Sequence, residues 1–99
     1  MKISWLSLLF ILTILLITFG CAHNKTIEDL TATKWLEIGD QAGIAKRYNE
    51  ALDAYNKAIE LDPNNAAAYR ARGEAYEKLG EKSKAAADLE RAKKLEGEE

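Results

Sequence analysis

The sequence predicts an all-α chain in which an apolar N-terminal segment precedes two helix-turn-helix repeats. Residues 3–19 contain no charged side chain, whereas the rest of the 99-residue chain is rich in Glu, Lys and Ala. Residues 32–65 align with residues 66–99 at a shift of 34. Within both units, apolar residues recur at intervals typical of amphipathic helices. A chain of this length forms at most one small domain.

The first 20 residues have the pattern of an export signal or a membrane anchor. Lys2 precedes the apolar run, and Gly20 ends it. As a helix the run would be about 26 Å long, slightly shorter than a bilayer core of roughly 30 Å. The segment 1–20 is therefore either a cleaved signal peptide or a tight, uncleaved anchor helix over residues 3–19. We expect residues 21–31 to form a tether and the start of the first helix.

Cys21 is the only cysteine of the chain, so it cannot form an internal disulfide. Gly20 and Cys21, at the end of an apolar run, resemble the lipobox of bacterial lipoproteins, although Thr18 and Phe19 differ from that family's preferred residues. The resemblance implies that the signal is cut before Cys21 and that its sulfur carries a lipid. It also implies a location in the bacterial cell envelope. In a Gram-negative cell this would be the outer membrane, because the residue after Cys21 is Ala22 rather than Asp. The alternative is that Cys21 ends a membrane helix as an ordinary small residue.

The alignment of the two units places small residues on small ones and large apolar residues on large ones. Small residues at equivalent positions predict close crossings of helices, because larger side chains would push the helices apart. The aligned pairs are Ala32 with Ala66, Gly39 with Gly73, Ala51 with Ala85, Tyr55 with Leu89, and Ala58 with Ala92. We expect the aromatic residues to fill the core rather than to bind a ligand, namely Trp35, Tyr48, Tyr55, Tyr69 and Tyr76.

The helix boundaries follow from turn and capping residues. Asn49 and Ser83 occupy equivalent places and are suitable N-caps, as is Asn64 or Asn65 after Pro63. Glycine is common immediately after a helix, and this predicts that Gly80 ends the third helix. Thr26, with Asp29 three residues later, predicts the start of the first helix. The predicted helices lie near residues 27–45, 49–62, 66–79 and 83–96.

The period of 34 residues, with two helices in each unit, resembles the tetratricopeptide repeat. The motif residues are Trp35, Ile38, Gly39, Ala42, Ala51, Tyr55, Ala58 and Pro63, then Tyr69, Arg72, Gly73, Tyr76, Ala85, Leu89 and Ala92. Ala42 replaces a usual tyrosine, and Gly97 replaces the proline of the second unit. The resemblance implies an α-solenoid fragment, with repeat 1 at residues 32–65 and repeat 2 at residues 66–99.

In this family the first helix of each unit lines a groove that holds a peptide or a partner's helix. The positions carried over are Thr33, Leu36, Glu37, Asp40 and Ile44 in repeat 1, and Ala67, Arg70, Ala71, Glu74, Glu77 and Lys78 in repeat 2. A chaperone-binding branch of the family grips a C-terminal carboxylate with Lys, Asn and Arg side chains. The positions that would have to carry these side chains hold Leu36, Asp40 and Ala71 instead, so we reject a C-terminal carboxylate as the ligand.

Neither a catalytic nor a metal site is predicted. His23 and Cys21 are single residues beside the apolar segment, and one of each does not make a metal site. The formal net charge of -2 and the absence of a basic face give no reason to expect nucleic acid as a partner. The Glu and Lys side chains are expected to form a solvated helix surface with i,i+4 pairs such as Glu74 with Lys78. We predict no enzymatic activity and no cofactor.

The predicted function is that of a small lipid-anchored module that binds another protein and supports assembly of an envelope complex. The alternative is an uncleaved single-pass membrane protein that acts as a structural assembly subunit. Since about three repeats are usually needed for stability, residues 22–99 are expected to be marginal as a monomer, and to dimerise or dock on a partner. A salt bridge between Arg72 and Asp88 is expected to link the two helices of repeat 2.

Overall fold

The protein is all-helical, as predicted. A computed structural model describes residues 5–97, without the side chains of residues 10–26 and 28. The helices are α1 (Trp5–Ile44), α2 (Tyr48–Leu61), α3 (Ala66–Lys78) and α4 (Lys82–Leu95). The bounds of α2, α3 and α4 lie within one residue of those predicted from the sequence.

Helix α1 starts earlier than the capping residues indicate. It runs without a break through Thr26, so the predicted start of a helix at residue 27 is wrong. None of the helices, over the residues that the structure describes, is long and apolar enough to cross a membrane. The side chain of Cys21 lies outside the described set, and its lipidation stays a prediction. The boundary between an N-terminal segment 1–20 and a tether 21–31 is likewise untested.

The two turns within the repeats are built alike, with backbone hydrogen bonds and without side-chain caps. Arg47 precedes α2 and Glu81 precedes α4, and neither residue makes a side-chain cap hydrogen bond. Their amides donate to the carbonyl oxygens of Ala42 and Tyr76 in the preceding helices at 2.9 Å, so both turns are closed by the same backbone hydrogen bond. Both helices begin one residue earlier than predicted, so the prediction of Asn49 and Ser83 as N-caps is wrong.

The turn between the repeats and the end of α3 follow the prediction. Asn65 caps α3, and its side-chain oxygen accepts from the amide of Ala68 at 3.3 Å. Gly80 has a φ of 80°, a left-handed conformation that ends α3 and that glycine adopts without a steric penalty. These turns set α3 beside α2 and fold α4 back onto α3.

Each helix packs on its neighbours in sequence, while α1 and α3 touch only slightly. Alanines at equivalent positions of α2 and α4 are buried, namely Ala51, Ala58, Ala85 and Ala92. The glycines of α1 and α3 lie against the residue sixteen positions later: Gly39 against the ring of Tyr55, and Gly73 against Leu89. This shared contact confirms that the two units are repeats of one structure. Tyr55 is buried, and the other four aromatics predicted to fill the core are half-buried.

Candidate protein-binding groove

A concave groove of about 450 Å³ lies between α1 and α3, the first helices of the two repeats. It exists because α1 and α3 are both packed on α2 and therefore stand side by side without closing on each other. Its walls come from α1 and α3, and α2 supplies its floor. The lining residues are Asp40, Gly43, Ile44, Tyr48, Tyr55, Ala71, Glu74, Ala75 and Lys78.

Five of the eleven predicted groove residues line this groove: Asp40, Ile44, Ala71, Glu74 and Lys78. Thr33 and Glu37 lie nearer the N-terminus of α1, in a separate shallow depression with Leu30 and Lys34. Leu36 is half-buried and packs against the core instead. Ala67, Arg70 and Glu77 are exposed on α3 outside the groove lining.

Sequence reasoning missed four lining residues, namely Gly43, Tyr48, Tyr55 and Ala75. Tyr48 and Tyr55 belong to α2, whereas the prediction considered only the first helix of each unit. One signal for Tyr55 was present in the sequence. Tyr55 follows Gly39 by the same sixteen residues that separate Leu89 from Gly73, and this spacing places it where α1 and α2 cross.

A polar contact joins Tyr55 on the floor of the groove to Asp40 on its α1 wall. The Tyr55 hydroxyl donates a hydrogen bond of 2.8 Å to Oδ1 of Asp40. Burial raises the pKa of Tyr55 well above its ordinary value, and the nearby carboxylates of Asp40 and Glu74 raise it further. The hydroxyl therefore stays protonated and holds the Asp40 carboxylate in one orientation.

The charged side chains that line the groove form no ion pair with any residue that the structure describes. These side chains are Asp40, Glu74 and Lys78. The expected pair of Glu74 with Lys78 is therefore not formed, although the two residues are one helical turn apart. Ile44 is 84% exposed and adds an apolar surface beside these charges. The groove thus offers charged and apolar contacts to a partner.

A second polar cluster lies behind α3 and fixes the position of that wall. Arg72 Nε and Nη2 each donate to the Asp88 carboxylate at 2.8 Å, and Nη1 donates to Asn56 at 2.9 Å. The guanidinium also lies 5.6 Å and 5.9 Å from the ring centres of Tyr69 and Tyr76. The predicted salt bridge is confirmed and joins α3 to α4, while the hydrogen bond to Asn56 joins α3 to α2.

The charge of Arg72 is compensated by this cluster. Its hydrogen bond to Asp88 raises the pKa of Arg72, although burial acts in the opposite direction. The forked pairing of a guanidinium with a carboxylate fixes both distance and angle. Another salt bridge joins Arg70 of α3 to Glu96, which follows α4. Arg70, predicted to line the groove, is therefore directed towards the end of α4.

The geometry of the groove suits the binding of another protein. Over the residues that the structure describes, no three His, Cys, Asp or Glu side chains are grouped closely enough to hold a metal ion. The groove offers carboxylates, a tyrosine hydroxyl and an ammonium group along an open surface. Such an arrangement suits an extended or helical segment of another protein.

Comparison with known families defines the class of protein. Sequence models of the tetratricopeptide repeat match residues 44–80 and residues 66–99. Together they account for more than half of the chain. The chain therefore belongs to the tetratricopeptide repeat family, and its repeats form a module for interaction between proteins.

Curated relatives carry the same repeat. The chain is 37% identical over 70 residues to small glutamine-rich tetratricopeptide repeat-containing protein 2 of Mycosarcoma maydis. It is 43% identical over 68 residues to small glutamine-rich tetratricopeptide repeat-containing protein beta of Homo sapiens. It is 36% identical over 74 residues to tetratricopeptide repeat protein 14 of Mus musculus. These matches cover 68–75% of the chain but span only 20%, 22% and 10% of the three relatives.

Proposed function

We propose that this protein is a small membrane-anchored adaptor whose groove between α1 and α3 binds a segment of another protein. The observation that carries the proposal is the groove itself. It is lined by the first helices of both repeats, and Ile44 exposes 84% of its surface there. An open groove that offers apolar and charged side chains together can accommodate a segment of another protein.

The anchoring part of the proposal is supported by the sequence alone. The apolar run of residues 3–19 ends in Gly20-Cys21, and a lipid on the Cys21 sulfur would hold the repeats at a membrane. With an acylated amine as well, two or three chains give stable attachment, whereas one chain binds only marginally. On this proposal the protein resides in the bacterial cell envelope, at the outer membrane in a Gram-negative cell, and supports assembly of a complex there.

The use of the groove is tested by crosslinking from defined positions. A photoreactive amino acid is placed at Ile44 in the groove or at Glu60, which is exposed on α2 outside the groove lining. Irradiation of the producing cells should join Ile44, and not Glu60, to one discrete partner protein. Equal crosslinking from both positions, or none from Ile44, would contradict the groove as the binding surface.

The anchor is tested by metabolic labelling with palmitate. Label should be incorporated into the wild-type chain and be lost in Cys21→Ser, because serine lacks the thiol that forms the thioether. Substitution of Ser7→Ala in the same segment serves as the control and should leave labelling unchanged. Label that persists in Cys21→Ser would exclude the lipid anchor. Absence of label from a wild-type chain that keeps residues 1–20 would favour the uncleaved single-pass membrane protein.

A further inference from the structure

We propose that the groove selects a basic, partly apolar segment of its partner. In this arrangement a Lys or Arg side chain lies between Asp40 and Glu74, and a neighbouring apolar residue covers Ile44. This inference rests on the proposed function and adds the chemistry of the partner to it.

The first step of the argument is the charge of the lining. Asp40 from α1 and Glu74 from α3 face the same groove from opposite walls, and both act on the Tyr55 hydroxyl between them. Among the residues that the structure describes, Lys78 is the only cation of the lining. It lies one turn beyond Glu74 and forms no ion pair with it among the described contacts. Two carboxylates against one ammonium group favour a cationic occupant.

The second step is the orientation of Asp40. Its Oδ1 accepts from Tyr55, and this contact holds the carboxylate in place without neutralising it. The oxygen Oδ2 forms no hydrogen bond among the described residues and remains an acceptor for a ligand. Glu74 is exposed and supplies the opposite acceptor. A preorganised carboxylate loses little conformational entropy on binding, and a charge-assisted hydrogen bond to it is stronger than a neutral one.

The third step identifies the neighbouring apolar contact. Ile44 lies on α1 one turn after Asp40, lines the same groove and is 84% exposed, so a ligand bound at Asp40 lies within reach of it. Covering this side chain removes apolar surface from water and favours binding. A segment that combines a basic residue with an aliphatic one therefore satisfies both parts of the lining. An acidic segment, or a free C-terminal carboxylate, would instead be repelled by Asp40 and Glu74.

The test is selection of short random peptides, displayed on phage, on the full chain held in nanodiscs of zwitterionic phosphatidylcholine. These lipids carry no net charge that would attract basic peptides by themselves. Enriched peptides should contain Lys or Arg next to an aliphatic residue. Their affinity should fall about tenfold in Glu74→Gln and in Asp40→Asn, since each substitution removes one charged hydrogen bond. Asn retains the acceptor for Tyr55, so the floor of the groove stays intact.

Glu60→Gln is the matched control, because it removes the same charge from α2 outside the groove lining. It should leave the affinity unchanged, and raised salt should weaken binding to the wild type more than to Glu74→Gln. Acidic enriched peptides, or equal affinity of the wild type and Glu74→Gln, would overturn the basic preference. If Glu74→Gln left the affinity unchanged but Ile44→Asp abolished binding, the basic preference would fail while the groove remained the binding surface. Peptides unaffected by every groove variant, or no enriched peptide, would overturn the proposed function as well.

Discussion

The cluster around Arg72 permits a quantitative test of what holds the repeats together. Asp88 exposes 9% of its side chain and Arg72 exposes 21%, and two hydrogen bonds of 2.8 Å join them. Replacing Asp88 with Ala leaves a guanidinium that is largely buried and has only Asn56 as a polar partner. Breaking a fully buried pair costs about 3–5 kcal/mol. Because Arg72 is partly solvated, we expect a loss of about 2–3 kcal/mol in the free energy of unfolding.

An exposed ion pair on the same helix is the control. Glu90 and Lys94 lie 3.2 Å apart on α4, with 69% and 65% of their side chains exposed. Glu90→Ala should cost less than about 1 kcal/mol, since solvent screens an exposed pair and flexible side chains lose entropy in forming it. Urea unfolding of the full chain, followed by far-UV circular dichroism, measures both values. A cost for Asp88→Ala no larger than that for Glu90→Ala would refute the reasoning.

The equivalent positions of repeat 1 suggest a double variant that extends this test. Ile38 and Ala54 occupy the positions equivalent to Arg72 and Asp88, so the repeat tolerates an apolar pair there. The double variant Arg72→Ile with Asp88→Ala should therefore be more stable than Asp88→Ala alone. Replacing both members of a buried ion pair by apolar residues is often close to neutral. A double variant that is less stable than either single variant would show that the pair stabilises through contacts other than its charge.

Two further predictions concern the contact of α1 with α2. Gly39→Ala should lower the free energy of unfolding by about 1–2 kcal/mol, because the added Cβ would lie 2.6 Å from Cδ1 of Tyr55 and overpacking outweighs the gain in helix propensity. Gly73→Ala, at the equivalent crossing of α3 with α4, is the control and should be nearly neutral in the same urea experiment. Its added Cβ would meet tight contacts of 3.2–3.3 Å, which the gain in helix propensity offsets, and equal losses for both variants would contradict this reasoning. Above pH 10.0, the ordinary pKa of tyrosine, the unfolded chain releases the Tyr55 proton that the folded chain keeps, so stability should fall with rising pH. In Tyr55→Phe this part of the fall should vanish, and parallel stability curves for both proteins would refute it.

The helical repeat was predictable because its signal recurs. A shift of 34 residues aligns Gly39 with Gly73 and Ala51 with Ala85, and steric contact requires small residues at those crossings. The family models and the helix bounds confirm this part. The start of α1 was not predictable from capping residues. Thr26 has the capping preference of a helix start, yet a capping residue can also lie inside a helix when the chain before it is helical.

The groove was predictable only in part because its lining combines residues of the first helices, α1 and α3, with residues of α2. Positions such as Asp40 and Glu74 follow from the periodicity of the first helices, and both line the groove. Tyr55 comes from α2 and reaches the groove only because Gly39 has no side chain to block its ring. Arg70 shows the opposite case. Its position on α3 predicts that it lines the groove. Its side chain is long enough to reach Glu96, however, and the salt bridge directs it towards the end of α4.

The small core leads to the last prediction, which concerns self-association. The buried apolar residues are alanines and Tyr55, and none of the large side chains that the structure describes is fully buried. Alanines bury little apolar area, so the stabilisation from burial at about 25 cal/mol per Å² is small. Residues 22–99 should therefore be marginal as a monomer, with a melting temperature that rises with protein concentration or with a bound partner. Sedimentation and thermal melts over a wide concentration range measure this, and a concentration-independent monomer with a high melting temperature would show that two repeats suffice.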